Sequence, residues 1–144
     1  MVDRHALSSR LDALEGYLAE LRSFRSVSRE DFVREPALHH LAERYLHLAC
    51  ESVLDIAHHV ISDQGYRQAQ SYKDAIDVLS DDTLIDRELA DRLKGWMGFR
   101  NVLVHLYLAI DHGRTYDAIR DDLGDLEQFA AAMARLLGDA RHGC

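Results

Sequence analysis

The chain contains 144 residues, of which 47% are hydrophobic and 29% are charged, and its formal net charge is −8 at pH 7. This composition excludes a disordered chain and fits one globular domain over residues 1–144. The negative charge argues against a general affinity for nucleic acid, so an RNA site must rest on a local basic group, and an acidic surface more readily meets a basic protein partner.

Neither a membrane span nor a secretory leader is expected. No apolar run approaches the ~20 residues that a bilayer-spanning helix needs, and the N-terminus lacks a basic segment followed by an apolar one. The two cysteines, Cys50 and Cys144, make no disulfide framework. We therefore expect a protein of the reducing cytoplasm.

Apolar residues recur at helical spacing along most of the chain. A first helix is predicted over residues 3–23, with Asp3 as its cap. Ser28 begins a sequence that resembles a capping box, and Pro36 fits the first turn of a long helix over residues 35–63. The long helix is apolar on two faces, which is typical of a central helix or of one at a subunit interface.

Three more helices are predicted after the long one. Two of them span residues 72–79 and 86–106. A turn around residues 111–114, marked by Gly113, precedes the last helix over residues 115–137. We therefore expect an all-α fold, an antiparallel bundle of about five helices.

Arg100 interrupts the apolar stripe of the helix over residues 86–106. It lies in the middle of that stripe, about 20° from Leu93 on a helical wheel. The stripe is formed by Leu89, Leu93, Trp96, Met97 and Val104. A buried guanidinium without a partner is costly, so either a carboxylate such as Glu51 or Asp55 pairs with Arg100, or its position opens onto a cleft that receives an anion.

His105 follows Arg100 by five residues, which separates their side chains by roughly 140° on one helix. Taken alone, His105 is a solvent-facing or hydrogen-bonded residue. For the two side chains to act together, the helix must deform or end near His105, or the site must be assembled from two subunits. Asn101 lies one turn from His105 and can orient its imidazole.

The polar strip of the long helix contains three residues of types that bind metals, His47, Glu51 and His58. Their spacing over three turns places the two histidines too far apart for one ion. A solvated face explains them better, so no metal and no cofactor are expected.

Residues 98–107 read Gly-Phe-Arg-Asn-Val-Leu-Val-His-Leu-Tyr. This segment resembles the Arg-x-x-x-x-His-x-Tyr signature of HepT toxins, in the HEPN superfamily of helical ribonucleases. Residues 49–61 and 71–75 also resemble the corresponding parts of that family. The resemblance therefore covers most of the chain and implies a HEPN-type helical bundle that forms a homodimer.

The resemblance implies a metal-independent endoribonuclease toxin that cleaves cellular RNA, with tRNA as a candidate substrate. Arg100 and His105 would be catalytic, because a guanidinium stabilises charge on a phosphate and an imidazole moves protons near neutral pH. Asn101 would support them in a composite site at the dimer interface. Lys94, Arg114 and Arg120 are candidates for a basic rim.

The resemblance also implies a partner. In a type VII toxin-antitoxin system, an MntA-like nucleotidyltransferase antitoxin attaches AMP to the tyrosine that corresponds to Tyr107. The added nucleotide would block RNA and neutralise the arginine.

Two other readings remain open at this point. The chain can instead be a non-enzymatic partner subunit that recruits substrate or nucleotide for a minimal nucleotidyltransferase, which the acidic balance favours. It can also be a structural bundle in which Arg100 is only paired with a carboxylate.

Overall fold

The computed structural model describes residues 3–142, with side chains described as far as residue 138. This part of the chain contains helices and no strand, which confirms the predicted all-α class. Seven α-helices follow one another: α1 (Arg4–Ser23), α2 (Arg29–Arg34), α3 (Pro36–Gln64), α4 (Tyr72–Asp81), α5 (Arg87–His105), α6 (His112–Asp121) and α7 (Gly124–His142). Single 3₁₀ turns span Phe24–Ser26 and Tyr107–Ala109. Between residues 3 and 142, no helix has the length and apolar character needed to cross a bilayer.

Side-chain caps explain where several helices begin. The side chain of Asp3 accepts a hydrogen bond from the backbone of Ala6, and Ser28 does the same for Asp31. Pro36 occupies the first turn of α3, where its missing N–H removes no helical hydrogen bond. Gly65 adopts a left-handed conformation (φ 69°) and ends α3. The predicted bounds of α1 and α3 are therefore confirmed within one or two residues.

Helix α3 is the centre of the bundle and packs against six other helices. The backbone N–H of Asp3 donates to Asp63 (2.8 Å), and Arg10 pairs with Asp55 (2.9 Å). The start of α1 therefore lies beside the end of α3, so the two helices are antiparallel. One predicted apolar face of α3 is buried, whereas Leu41 on the other face remains exposed.

The stripe predicted on α5 forms part of the core. Leu89, Leu93, Trp96 and Met97 are buried against the neighbouring helices, and Arg100 is buried with them. Val104 is half-buried, because the helix leaves the core at its C-terminal end. Burial of such side chains is the main source of stability in a bundle of this size.

The prediction was wrong at the C-terminal end of the chain, where the single helix expected over residues 115–137 is divided into two helices, α6 and α7. Helix α6 ends at Asp121 and α7 begins at Gly124, because consecutive aspartates and a glycine weaken the helix between them. The turn expected at residues 111–114 is instead the start of α6, capped by Asp111. Gly113 lies inside this helix, and the guanidinium of Arg29 occupies the space that a Cβ would need there. With the short α2, this split brings the described chain to seven α-helices.

Candidate functional site

Arg100 is 8% exposed and lies in the stripe of α5 that faces α3. Its Nε donates a hydrogen bond to Oε1 of Glu51 at 2.5 Å. The sequence suggested Glu51 or Asp55 as the partner of Arg100. The structure shows Glu51 in this role, since Asp55 pairs with Arg10. The expected carboxylate partner is present.

Two further contacts hold the guanidinium of Arg100. Its Nη1 donates to Oδ1 of Asn101 at 3.1 Å, and its Cζ lies 5.0 Å from the ring centroid of Tyr72. A guanidinium has five N–H donors. Within the described residues Arg100 uses two of them, so donors remain for a bound anion.

The ion pair of Arg100 and Glu51 is open to solvent. The side chain of Glu51 is 41% exposed, and Asn101 beside it is exposed as well. Water can therefore reach the carboxylate of the pair, while the guanidinium itself is largely buried. The arrangement differs from a sealed structural pair, in which both charges are removed from water.

A line of polar side chains extends from Arg100 along α3. Nε2 of His47 lies 3.5 Å from Oε1 of Glu51, and Nη1 of Arg44 lies 3.1 Å from Nδ1 of His47. Behind this line, burial raises the pKa of the Cys50 thiol to about 12. Cys50 therefore stays protonated and does not serve as a nucleophile.

His105 and Tyr107 lie beyond the cluster around Arg100. His105 is the last residue of α5 and is exposed, and Tyr107 is 67% exposed in the 3₁₀ turn that follows. No contact joins either side chain to Arg100 in the described part of the chain. The structure therefore brings Asn101 to Arg100 but does not bring His105 or Tyr107 there. Because α5 stays helical from residue 100 to 105, the divergence of roughly 140° remains.

Among the described residues, no group of histidine, cysteine and acidic side chains has the geometry to hold a metal ion. His47 is engaged by Glu51 and Arg44. His58 instead lies edge-on to Tyr72, with 6.5 Å between the ring centroids. These side chains border the cluster around Arg100 without converging on one point.

The candidate basic rim does not surround Arg100. Lys94 pairs with Asp77 (3.0 Å), and Arg120 pairs with Asp121 (3.0 Å), so carboxylates neutralise both. Arg114 lines a groove of about 720 Å³ between α5 and α6. This groove contains none of the predicted site residues Arg100, Asn101, His105 and Tyr107, and it lies on another side of α5.

Tyr72 is the main site residue that sequence reasoning missed. It shares a helical face with Ile76 and Leu79, which are both buried, yet nearly half of Tyr72 is exposed. The sequence feature that could have indicated Tyr72 is its place in the first turn of α4, where the core-facing stripe of this helix reaches the surface. Its role depends on contact with α5, which α4 alone does not reveal.

Comparison with known proteins identifies relatives. A family model described as Ribonuclease HepT-like matches residues 14–133. The mRNA nuclease HepT of Shewanella oneidensis is 34% identical over 84 residues, which are 58% of this chain and 63% of that protein. The match therefore spans less than two thirds of the length of that relative. The tRNA nuclease HepT of Aphanizomenon flos-aquae is 28% identical over 113 residues, 78% of this chain and 77% of that one. YutE of Bacillus subtilis is 31% identical over 128 residues, 89% of this chain and 85% of YutE.

Solved structures share the fold. The structure of YutE, a cytosolic protein of Bacillus subtilis, superposes with a TM-score of 0.82 at 29% identity and covers 99% of this chain and 95% of that one. A tri-AMPylated HEPN toxin of Shewanella oneidensis, solved in complex with its MNT antitoxin, gives 0.83 at 24% identity over 94% of this chain and 99% of that one. At that identity the second likeness concerns the fold alone. The family match over most of the chain and the identity to YutE lead to one conclusion: this chain belongs to the family of HepT-like ribonucleases.

Proposed function

We propose that this protein is a metal-independent endoribonuclease and the toxin of a type VII toxin-antitoxin pair. The observation that carries the proposal is the state of Arg100. Its guanidinium is held among apolar side chains, fixed by Glu51, Asn101 and Tyr72, and keeps N–H donors for a ligand. A preorganised cation of this kind stabilises the negative charge that grows on a phosphate during cleavage.

The reaction follows from the groups that the signature supplies. The 2′-hydroxyl oxygen of a ribose attacks the adjacent phosphorus, and the bond from phosphorus to the 5′ oxygen breaks. The proton of the hydroxyl leaves and another is delivered to the 5′ oxygen, which gives a cyclic phosphate and a free 5′-hydroxyl. His105 carries these protons, Arg100 binds the phosphate oxygens, and Asn101 holds the guanidinium in place.

A homodimer completes the site in this proposal. Within one chain, His105 and Arg100 point in different directions, so a second copy must supply the missing group. Exposed apolar side chains next to His105 support an interface there, since Leu108 is 91% exposed and Leu106 also reaches solvent. A two-fold axis near the end of α5 would bring the imidazole of one protomer towards the guanidinium of the other.

Tyr107 is the proposed site of control by an MntA-like nucleotidyltransferase antitoxin. Its phenol oxygen would attack the α-phosphorus of ATP, forming an oxygen–phosphorus bond while pyrophosphate leaves and the phenol proton passes to the antitoxin. The exposure of Tyr107 supports this role, because the reacting oxygen must be accessible. The added AMP would occupy the surface beside His105 and repel RNA.

The substrate class is RNA with unpaired nucleotides. Two relatives are named as an mRNA nuclease and a tRNA nuclease. Both names specify RNA, but they differ in the class of RNA. Single-stranded loops and ends suit a site of this kind, because their phosphates and bases are accessible together.

The test is cleavage of a single-stranded RNA by purified wild-type protein and by His105→Ala, with EDTA present. Loss of the imidazole is expected to slow cleavage by about 100- to 10,000-fold, with a 2′,3′-cyclic phosphate as the wild-type product. His5→Ala, which changes another exposed histidine on α1, is the matched control and should cleave like wild type. Equal rates for wild type and His105→Ala would remove the catalytic claim, and absence of cleavage by wild type would favour a non-enzymatic partner subunit.

A further inference from the structure

The guanidinium of Arg100 covers one face of the aromatic ring of Tyr72, which leaves the other face for a ligand. The ring is 47% exposed, although its helical face is otherwise buried in the core. The Cζ of Arg100 lies 5.0 Å from the ring centroid, and the imidazole of His58 is inclined at 69° to the same ring, with 6.5 Å between the two centroids. An aromatic ring in this position is too exposed to serve mainly as core and is close enough to the cation to share a ligand with it.

The position of this ring is set by a rigid local structure. Tyr72 is the first residue of α4, directly after the cap Ser71, whose side chain accepts from the backbone of Asp74 at 3.0 Å. Two hydrogen bonds of 2.9 Å from Arg67 to Asp74 tie the preceding loop to the same turn. The guanidinium of Arg67 lowers the pKa of Asp74 to about 2, so this pair persists at neutral pH. A ring held in this way loses little conformational freedom when a ligand stacks on it.

The charges near the ring suit a nucleotide. Arg100 keeps N–H donors that can bind a phosphate, and Lys73, the next residue along α4, makes no ion pair among the described residues. The base of a nucleotide has a flat π-face that stacks on an aromatic ring whatever its identity. A phosphate on Arg100 and a base on Tyr72 would therefore belong to one nucleotide or to two adjacent ones.

We propose that Tyr72 is a stacking platform for the base of a nucleotide that adjoins the phosphate held by Arg100. The inference rests on the proposed function, because it requires that RNA occupies the site of Arg100. It adds a base subsite on α4 to the phosphate site on α5. Since stacking reads no hydrogen-bonding edge, this subsite requires an unpaired base and tolerates all four.

The experiment measures binding separately from cleavage. A fluorescent RNA oligonucleotide with one 2′-deoxy substitution at the mapped cleavage position is titrated with wild type, Tyr72→Phe, Tyr72→Trp and Tyr72→Leu. The aromatic variants should bind like wild type, and Tyr72→Leu should bind about 5- to 150-fold more weakly, the range expected for loss of one stacked base. Tyr17→Leu is the control, because Tyr17 is a half-buried tyrosine on α1 that contacts Tyr45 rather than a cation. Circular dichroism verifies that each variant is folded.

An abasic nucleotide in the same oligonucleotide separates stacking from an indirect effect on Arg100. The abasic nucleotide is placed first on one side of the cleavage position and then on the other. At one of these two positions it should weaken binding to wild type by about the same factor as Tyr72→Leu does. The same oligonucleotide should cause no further loss with Tyr72→Leu, because the partner of the base is already absent. Equal losses for wild type and Tyr72→Leu at both positions would overturn the platform.

The outcomes also distinguish this inference from the proposed function. If wild type cleaves RNA and Tyr72→Leu binds it with unchanged affinity, the stacking platform is ruled out and the proposed nuclease activity stands. Failure of wild type to bind or cleave RNA would remove both.

Discussion

Two glutamates on α3 hold basic partners on neighbouring helices, and only one of them is closed to solvent. Glu43 and Glu51 are eight residues apart, or about 12 Å along the helix. Glu43 is 6% exposed and accepts hydrogen bonds from Nδ1 of His112 (2.6 Å) and Oγ1 of Thr115 (3.1 Å). The rings of His39 and His112 stack with centroids 3.6 Å apart and cover this pair.

Glu51 also accepts a hydrogen bond from a basic side chain, but in a different setting. Its side chain is 41% exposed, and its partner Arg100 keeps unused donors within the described residues. The buried carboxylate of Glu43 links α3 to α6 away from water, whereas the carboxylate of Glu51 contacts solvent next to its buried partner Arg100. In the proposed function, this difference in exposure separates an ion pair that stabilises the fold from one that serves a ligand.

The largest expected effect is that of Arg100 on the rate of RNA cleavage, which should depend on the cluster of Glu51 and not on that of Glu43. Arg100→Ala should slow RNA cleavage by about 100- to 1,000-fold, because the charge that stabilises the transition state is lost. Arg100→Lys should recover part of the rate, since an ammonium restores the charge but not the paired geometry. Rates under single-turnover conditions measure this.

The control for that prediction is Arg10→Ala, which breaks another, more exposed ion pair to α3, between Arg10 of α1 and Asp55. It should cleave RNA like wild type. Equal loss in the Arg10 and Arg100 variants would mean that stability, and not transition-state charge, accounts for the effect.

The closed cluster should respond through stability instead. Glu43→Ala leaves the imidazole of His112 without its acceptor and removes one of the two acceptors of the Thr115 hydroxyl, which should lower the free energy of unfolding by about 3 kcal/mol. Glu51→Ala should cost less, because water can reach the exposed position. Urea unfolding followed by circular dichroism compares the two variants, and a larger loss for Glu51→Ala would reverse the assignment of the two clusters.

A smaller effect is expected on RNA affinity when Glu51 loses its charge. Glu51→Gln keeps an acceptor for Arg100 but removes the carboxylate that competes with phosphate. Binding of the 2′-deoxy-substituted oligonucleotide should tighten by about 2- to 5-fold, the range for a partly exposed charge. Weaker binding in this variant would show that the carboxylate is needed to place the guanidinium.

The smallest effect concerns the turn that holds Tyr72. Hydrogen bonding to Arg67 keeps the pKa of Asp74 at about 2, below the ~3.9 of an unfolded aspartate. The pair therefore stabilises the fold fully above about pH 4, and this contribution disappears as the pH falls towards 2. Asp74→Asn should lower the melting temperature slightly at pH 7, and the difference from wild type should narrow between pH 4 and pH 2. Asp12→Asn, on the exposed face of α1, should show no such pH dependence.

Much of this site could be predicted from α5 alone. A helical wheel is enough to find Arg100 in an apolar stripe, and the cost of a buried charge is enough to name Glu51 among its possible partners. The fold class followed from periodicity, and the start of α3 followed from Pro36. These features depend on residues close in sequence or on a strong local rule.

Other features depend on contacts that a single helix does not specify. Gly113 marked a turn in the sequence, yet it is a helical residue that makes room for Arg29. Tyr72 became part of the site only once α4 lay against α5. The partner of His105 lies outside the single chain in the proposed dimer, so neither the sequence nor one protomer contains it.

The most direct test of the central claim mixes Arg100→Ala and His105→Ala protomers, co-refolded or co-expressed with different tags. If Arg100 of one protomer acts with His105 of the other, each mixed dimer has one complete site, and equal mixing should restore about a quarter of wild-type cleavage. Activity of the mixture no higher than that of the two inactive variants alone would contradict a site shared between protomers.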